Sequence, residues 1–222
     1  MTGPAAGHGL TGVADAGAFL ARLVRLDPAG LVRLRPVPAA GRTALWARLP
    51  WGVLVVRTVP GTAPGDVTVA AGDLLAELSA GAAALPRRRD DGWRWPLPPP
   101  VSRPVEVLPG VELRRIADAA AGTLRAAATH GVAGRAVGQR VLRDALLDHV
   151  AVVVTPDDPP AAPVQVSQRL VQGVVRMGFL GTGDVQVRIA GHWVGLVGPY
   201  GAVWSRTVAD LALTPTRVHP NG

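Results

Sequence analysis

The spacing of apolar residues in the first third of the chain predicts one helix followed by antiparallel strands. Phe19, Leu20, Leu23 and Leu26 recur at the helical interval, and Asp27-Pro28 ends that pattern. Farther on, apolar and polar positions alternate, as they do in strands, and a Pro-Trp-Gly triplet separates two of these runs. We therefore predict a helix over 19–26, strands over 31–35, 43–49, 53–59 and 66–70, and a short helix over 73–78.

The second half of the chain has more helical character. Apolar residues mark one face of a long helix over 113–127, and the glycines at 131 and 134 interrupt it. Ser167, a residue type that caps helices, precedes another amphipathic stretch that ends near Met177. The pattern predicts helices over 113–127, 135–149 and 168–177, a buried strand over 150–155, and a hairpin formed by 184–189 and 192–197.

A change of composition near residue 90 divides the chain into two unlike units. Residues 96–100 read Pro-Leu-Pro-Pro-Pro, and such a run favours a semi-rigid polyproline spacer. The expected fold class is α+β, with an N-terminal antiparallel sheet and flanking helices, then a helical unit that ends in a β-hairpin. We expect an N-terminal unit over 1–86, a linker rich in Arg, Trp and Pro over 87–103, a C-terminal unit over 104–213, and a flexible tail over 214–222.

Composition removes several classes of chemistry. The chain has no cysteine, which excludes disulfides, thiolate metal sites and cysteine nucleophiles. Familiar enzyme motifs are missing, and only five histidines are present, so we expect no cofactor, no metal and no catalytic residue. No apolar run is long enough to span a membrane, and residues 1–12 lack the basic start of a secretory signal. We therefore expect a soluble, cytoplasmic protein with no membrane partner.

The positive charge comes from arginine alone. The formal net charge is +7, with 23 basic residues and 16 acidic ones, and the sequence contains no lysine. The surplus divides almost evenly between residues 1–100 and 101–222, whereas nucleic-acid binders more often cluster their charge. Compositional bias is therefore the favoured explanation of the arginine-rich sequence, although folding can gather charges that the sequence scatters.

The linker contains the strongest local candidate for a nucleic-acid contact. Guanidinium groups can neutralise phosphates and indoles can stack on bases, and the segment interleaves both. Its candidate binding residues are Arg87, Arg88, Arg89, Trp93, Arg94 and Trp95. The favoured alternative is structural, because Asp90 and Asp91 cancel nearby charge and the two indoles can pin a connecting strand against a domain.

Two further candidates lie in the C-terminal unit. Arg169, Gln172 and Arg176 share the polar face of a predicted helix, and Arg and Gln can each make paired hydrogen bonds to base edges. His192 and Trp193 belong to an aromatic, glycine-rich hairpin suited to a binding surface. For the helix the alternative is a solvated polar face, and for the hairpin it is the packing of rings on a core.

These observations favour a non-catalytic binding or accessory protein that acts through arginine and aromatic surfaces. Its partner is a protein or a nucleic acid, and the sequence does not separate the two. An enzyme with a pocket between the two units is the main alternative. A third interpretation is an oligomeric structural component, since a homo-oligomer is compatible with an apolar sheet edge or an aromatic hairpin.

Overall fold

The computed structural model describes residues 7–130, 139–155 and 162–207. The tail predicted over 214–222 lies outside this part of the chain, as does the start of the helix predicted over 135–149. The described helices are α1 (Val13–Leu26), α2 (Ala71–Ser79), α3 (Gly110–His130), α4 (Gln139–Asp148) and α5 (Gln168–Arg176). Ser167 occupies the N-cap of α5, but its side chain makes no capping hydrogen bond.

The described strands form one large sheet and one small one. They are β1 (Leu31–Val37), β2 (Arg42–Arg48), β3 (Leu54–Pro60), β4 (Val67–Ala70), β5 (Arg103–Leu108), β6 (Val150–Val154), β7 (Val164–Ser167), β8 (Val185–Ala190), β9 (Trp193–Gly198) and β10 (Gly201–Arg206). An 8-stranded antiparallel sheet runs in the order β4-β1-β2-β3-β10-β9-β8-β5, and β6 pairs with β7. The α+β fold class expected from the sequence is confirmed.

The two halves of the chain share the large sheet. Strand β3 pairs with β10, with Val55 opposite Val203 and Leu54 opposite Trp204. The sequence pattern does not predict β10, because its aromatic and glycine residues also suit a binding patch, and it predicts neither β5 nor β7. The C-terminal half therefore ends in a three-stranded meander that extends the N-terminal sheet.

All five described α-helices lie on the same side of the large sheet. Alternation along each strand directs one set of apolar side chains toward this side. Residues such as Val32, Leu34, Val55, Leu196 and Val203 form the main core with the buried faces of the helices. Helix α5 lies over β9 and β10 and packs against α3 and α4, so it forms the centre of the C-terminal half.

A smaller apolar cluster lies on the opposite side of the sheet, and we call this side the outer face. Leu54, Ala190, Trp193, Ala202 and Trp204 are its buried members, and Trp46, Trp93, Trp95 and Leu97 pack against them. Three of these packing residues come from the segment between the two halves of the chain. That segment is therefore held against the sheet through its indoles.

We call residues 87–102 the strap, because they cross the outer face from one sheet edge to the other. At the first edge Arg88 forms a bridge with Val69 of β4, and the Arg89 N–H donates to the Thr68 carbonyl oxygen at 2.7 Å. At the far side the Arg188 guanidinium donates to the Ser102 carbonyl oxygen at 2.6 Å. The strap protects the β4 edge from pairing with another chain.

Candidate functional site

Arginine side chains collect on the outer face and the strap. Because side chains alternate along a strand, Arg33 and Arg35 point away from the core residues Val32 and Leu34 of β1. The same alternation places other strand arginines beside members of the outer cluster. The complete set, which we call the outer arginine surface, is Arg33, Arg35, Arg42, Arg48, Arg87, Arg88, Arg89, Arg94, Arg188 and Arg206.

This surface accounts for the whole positive surplus of the protein. Its ten arginines are accompanied by only three acidic residues, Asp66, Asp90 and Asp91, and the difference equals the +7 of the full sequence. The remaining residues of the full sequence contain thirteen arginines and thirteen acidic residues, so they contribute no net charge. The even division of charge along the sequence therefore does not correspond to its distribution in space.

Two of the three carboxylates serve local structure. Asp66 receives two hydrogen bonds from Arg33, at 2.6 and 2.7 Å, and these bonds hold the pKa of its carboxyl below the ordinary value. Asp90 accepts from the Thr68 N–H at 2.7 Å, which lowers the pKa of that carboxyl too, and it also accepts from Arg88. No ion pair within the described chain involves Arg87, Arg89 or Arg94.

The indoles of the strap are engaged by arginine and by each other. The Arg33 guanidinium lies 5.8 Å from the centre of the Trp93 ring, and Arg48 lies 5.0 Å from that of Trp95. The two rings meet edge to face at 5.5 Å, and the Trp93 indole N–H donates to the Trp95 carbonyl oxygen at 2.7 Å. These contacts fix the rings in place, and both side chains are half-buried.

The aromatic hairpin contributes to the same face. Trp193 is buried in the outer cluster, where the Arg206 guanidinium lies 6.0 Å from its ring centre. Trp204 lies across Gly195, where an added Cβ would come within 2.5 Å of the indole. His192 is exposed at the turn, and its carbonyl oxygen accepts from Thr207. Trp193 is therefore buried and His192 is exposed, although the two residues are adjacent in the sequence.

The third set of predicted residues lies on the opposite side of the sheet. Arg169, Gln172 and Arg176 line a groove with a volume of about 790 Å³, which we call the interhelical groove. Helices α3, α4 and α5 form its walls, and residues from the end of α1 and the β2–β3 turn close one end. Its lining residues are Leu26, Pro50, Trp51, Ala120, Ala121, Leu124, Arg125, Arg143, Asp144, Leu146, Leu147, Asp148, Gln168, Arg169, Gln172 and Arg176.

Two of the three predicted groove residues have structural partners. The Arg169 Nε donates to the Asp148 carboxylate at 2.6 Å, and its Nη1 donates to the Trp51 carbonyl oxygen at 2.5 Å. The first of these bonds lowers the pKa of the Asp148 carboxyl. Gln172 donates to the Ala117 carbonyl oxygen at 3.3 Å, whereas Arg176 is exposed and forms none of the ion pairs found within the described chain.

The groove contains carboxylates, but their environment does not suit a general base. Asp144 lies beside Arg143 at 3.8 Å, and the paired Asp148 carboxyl is held more acidic than usual. Among the described residues, no group of three or more His, Cys, Asp or Glu side chains is placed to hold a metal ion. No described helix is long and apolar enough to cross a membrane.

The folding pattern resembles that of sliding clamps. The DNA polymerase III subunit beta from Pseudomonas aeruginosa matches with a TM-score of 0.54 and 13% identity, over 88% of this chain and 63% of that chain. The beta subunit of the Streptococcus pyogenes DNA polymerase matches with a TM-score of 0.54 and 12% identity, over 88% and 62% of the two chains. A sliding clamp from Bartonella birtlesii, bound to griselimycin, gives 0.54 and 13% over 90% and 64%.

These likenesses concern the fold: the protein has a sliding-clamp-like fold, and it spans about 63% of the length of the first of these clamps. The chain belongs to the family described as a domain of unknown function (DUF8185), whose profile matches residues 97–210. A second profile, a domain of unknown function (DUF8010), matches residues 9–95. No curated protein matches the sequence.

Proposed function

We propose that this protein is a non-catalytic scaffold that binds nucleic acid through the outer arginine surface. The observation that carries the proposal is the collection of the entire +7 surplus on one face of the sheet. Arginine binds phosphate through paired, charge-assisted hydrogen bonds, and it stays charged at any physiological pH. The fold likeness to beta subunits of DNA polymerases also supports a nucleic-acid partner, since those proteins are named as parts of enzymes that act on DNA.

The contacts of the indoles favour recognition of the phosphate backbone. Trp93 and Trp95 are occupied by Arg33 and Arg48, so base stacking on these rings would first require breaking those contacts. Backbone contacts carry little sequence information but depend strongly on salt, because each phosphate neutralised releases counterions. We therefore expect binding with little sequence preference and a steep decrease of affinity as salt rises.

The test measures binding of the full chain to labelled duplex DNA, single-stranded DNA and RNA by fluorescence anisotropy over a salt series. A triple variant, Arg87→Glu, Arg89→Glu and Arg94→Glu, changes side chains that have no ion pair in the described structure. We expect it to weaken binding by at least about tenfold, since one charge-assisted hydrogen bond contributes about 1.5 kcal/mol or more. The slope of log affinity against log salt should fall by about one for each phosphate that the variant no longer neutralises.

The matched control carries the same change of charge on the helical side. Arg25→Glu, Arg114→Glu and Arg176→Glu also replace three arginines, and we expect this triple variant to retain most of the affinity. Equal weakening in the two triple variants would show that only total charge matters, which would overturn the assignment to the outer face. Absence of binding to all three probes at low salt would overturn the proposal itself. A cytoplasmic location and a homo-oligomeric state stay predictions.

A further inference from the structure

The interhelical groove has an apolar floor and a basic rim. Alanines and leucines of α3 and α4, together with Trp51, provide the floor, and arginines from three helices lie around it. The groove opens on the helical side of the sheet, away from the outer arginine surface. A ligand of the groove would therefore leave the outer face uncovered.

The charges of the rim are suited to an anionic ligand. Asp148 is satisfied by Arg169, and Asp144 has Arg143 beside it, so both carboxylates of the groove already have cationic partners. Arg176 is exposed on the last turn of α5 and takes part in no ion pair of the described chain. The groove therefore presents at least one cation that an incoming carboxylate can pair with.

Gln168 gives an independent sign that the groove takes a ligand. Its side chain is 3% exposed, it lines the groove, and its Nε2 atom has no hydrogen-bond partner. Buried amide donors in proteins are almost always paired, because an unpaired donor loses its hydrogen bond to water and gains no other in exchange. The Nε2 atom itself is shielded from solvent, so a turn of the side chain toward the groove would let an oxygen acceptor of a ligand satisfy this donor.

We propose that the interhelical groove binds a short acidic segment of a partner protein that inserts apolar side chains onto the groove floor. The alanine and leucine floor favours apolar side chains, whereas a sugar-phosphate backbone would gain little there. An amphipathic helix laid in a groove buries residues at i, i+3, i+4 and i+7, and this spacing fits a floor built from helix faces. The proposal does not depend on nucleic-acid binding, since it concerns the opposite side of the sheet.

The probe is a displayed library of random short peptides selected against the full chain, followed by synthesis of the enriched peptides. We expect the enriched peptides to carry Asp or Glu between apolar residues at helical spacing. Binding of a synthetic peptide should weaken at least about tenfold in Arg176→Glu and should be largely retained in Arg176→Lys. Gln168→Leu should weaken the same peptide while it maintains or raises the melting temperature, because it removes the unpaired donor.

Arg25→Glu is the matched control, since Arg25 is a helical arginine that does not line the groove. This variant should bind the peptide as the parent chain does. Failure to enrich any peptide, enrichment of peptides without acidic residues, or equal binding by Arg176→Glu would each overturn the proposal. Chemical shifts that map the peptide to the outer face, or self-association through the groove, would do so as well.

Discussion

Trp51 and Arg169 exchange two hydrogen bonds although they are 118 residues apart. The Trp51 indole N–H donates to the Arg169 carbonyl oxygen at 3.1 Å, and the Arg169 guanidinium donates back to the Trp51 carbonyl oxygen. Trp51 belongs to the β2–β3 turn and Arg169 to the first turn of α5. This reciprocal pair joins the N-terminal half to the C-terminal half at one end of the groove.

We expect Arg169→Ala to lower the free energy of unfolding by about 2 kcal/mol, because it removes charge-assisted hydrogen bonds to Trp51 and Asp148. Trp51→Phe maintains an aromatic ring but removes the indole donor. Urea unfolding of both single variants and the double variant gives their coupling, which we expect to exceed about 0.5 kcal/mol. Strictly additive effects would show that the two hydrogen bonds do not act as one contact.

Gly173 permits close approach of α5 to the sheet. A Cβ at this position would lie 2.7 Å from a methyl group of Val203 and 3.4 Å from one of Val53. We expect Gly173→Ala to destabilise the fold by about 1–3 kcal/mol through overpacking, measured by urea unfolding. Gly122→Ala in α3 is the control: no atom lies within 4 Å of the added Cβ, so this variant should gain up to about 1 kcal/mol from helix propensity. Stabilisation by both changes would contradict the packing of α5.

Trp95 anchors the strap on the outer face. It packs against the outer cluster and has Arg48 over its ring, so its truncation removes apolar and cation–π contacts together. We expect Trp95→Ala to cost about 2–3 kcal/mol and to increase cleavage of the strap by a protease. Arg94→Ala, at the neighbouring position, should change stability by less than about 0.5 kcal/mol. Unchanged stability and unchanged cleavage in Trp95→Ala would show that the strap is only a spacer.

The Arg33–Asp66 pair makes the stability of the fold depend on pH in the acid range. The folded state lowers the pKa of the Asp66 carboxyl below 3.8, mainly through the hydrogen bonds from Arg33. The pair therefore stabilises the fold above that ordinary value, and this contribution disappears as pH falls through the folded pKa. Both side chains are partly exposed, so we expect about 0.5 kcal/mol at neutral pH.

Asp66→Asn should therefore lower stability slightly at neutral pH, and the difference from the parent chain should vanish in strong acid. Unfolding in urea between about pH 7 and pH 2 measures both quantities. A difference that grows as the pH falls would have the wrong sign for a lowered carboxyl pKa. Asp184, an exposed aspartate outside the helices that forms no ion pair in the described chain, provides the matched Asp→Asn control.

Much of the secondary structure follows from local patterns. Alternating residues predict β1 to β4 within a few positions, and the helical interval predicts α1 and α5. Strand β5 escapes prediction because a proline-rich stretch precedes it and Pro104 lies within it, and proline is unusual in strands except at an edge. Strand β10 is not predicted either, because Gly201, Ala202 and Trp204 do not form an alternating polar and apolar run.

The candidate residues are easier to find than their arrangement. Arginine and tryptophan in the strap are conspicuous in the sequence, and the polar face of α5 follows from helical spacing. Arg48, Arg188 and Arg206 cannot be recognised as members of a surface from the sequence. Arg188 and Arg206 are each the single arginine of their strands, and Arg48 is separated from Arg42 by the length of β2. Apart from the strap arginines, the sequence indicates this surface only through the alternation that places Arg33 and Arg35 on one face.

The sequence by itself determined the α+β class, the absence of thiol chemistry and the size of the positive surplus, because these depend on composition and on contacts between near neighbours. Only the tertiary structure decided that β3 pairs with β10, that Trp51 contacts Arg169, and that ten arginines share one face. Each of these relationships joins residues that are distant in the chain, and local spacing contains no information about which distant strands become neighbours. A charge divided evenly along the sequence can therefore become a surplus on one side of the folded protein.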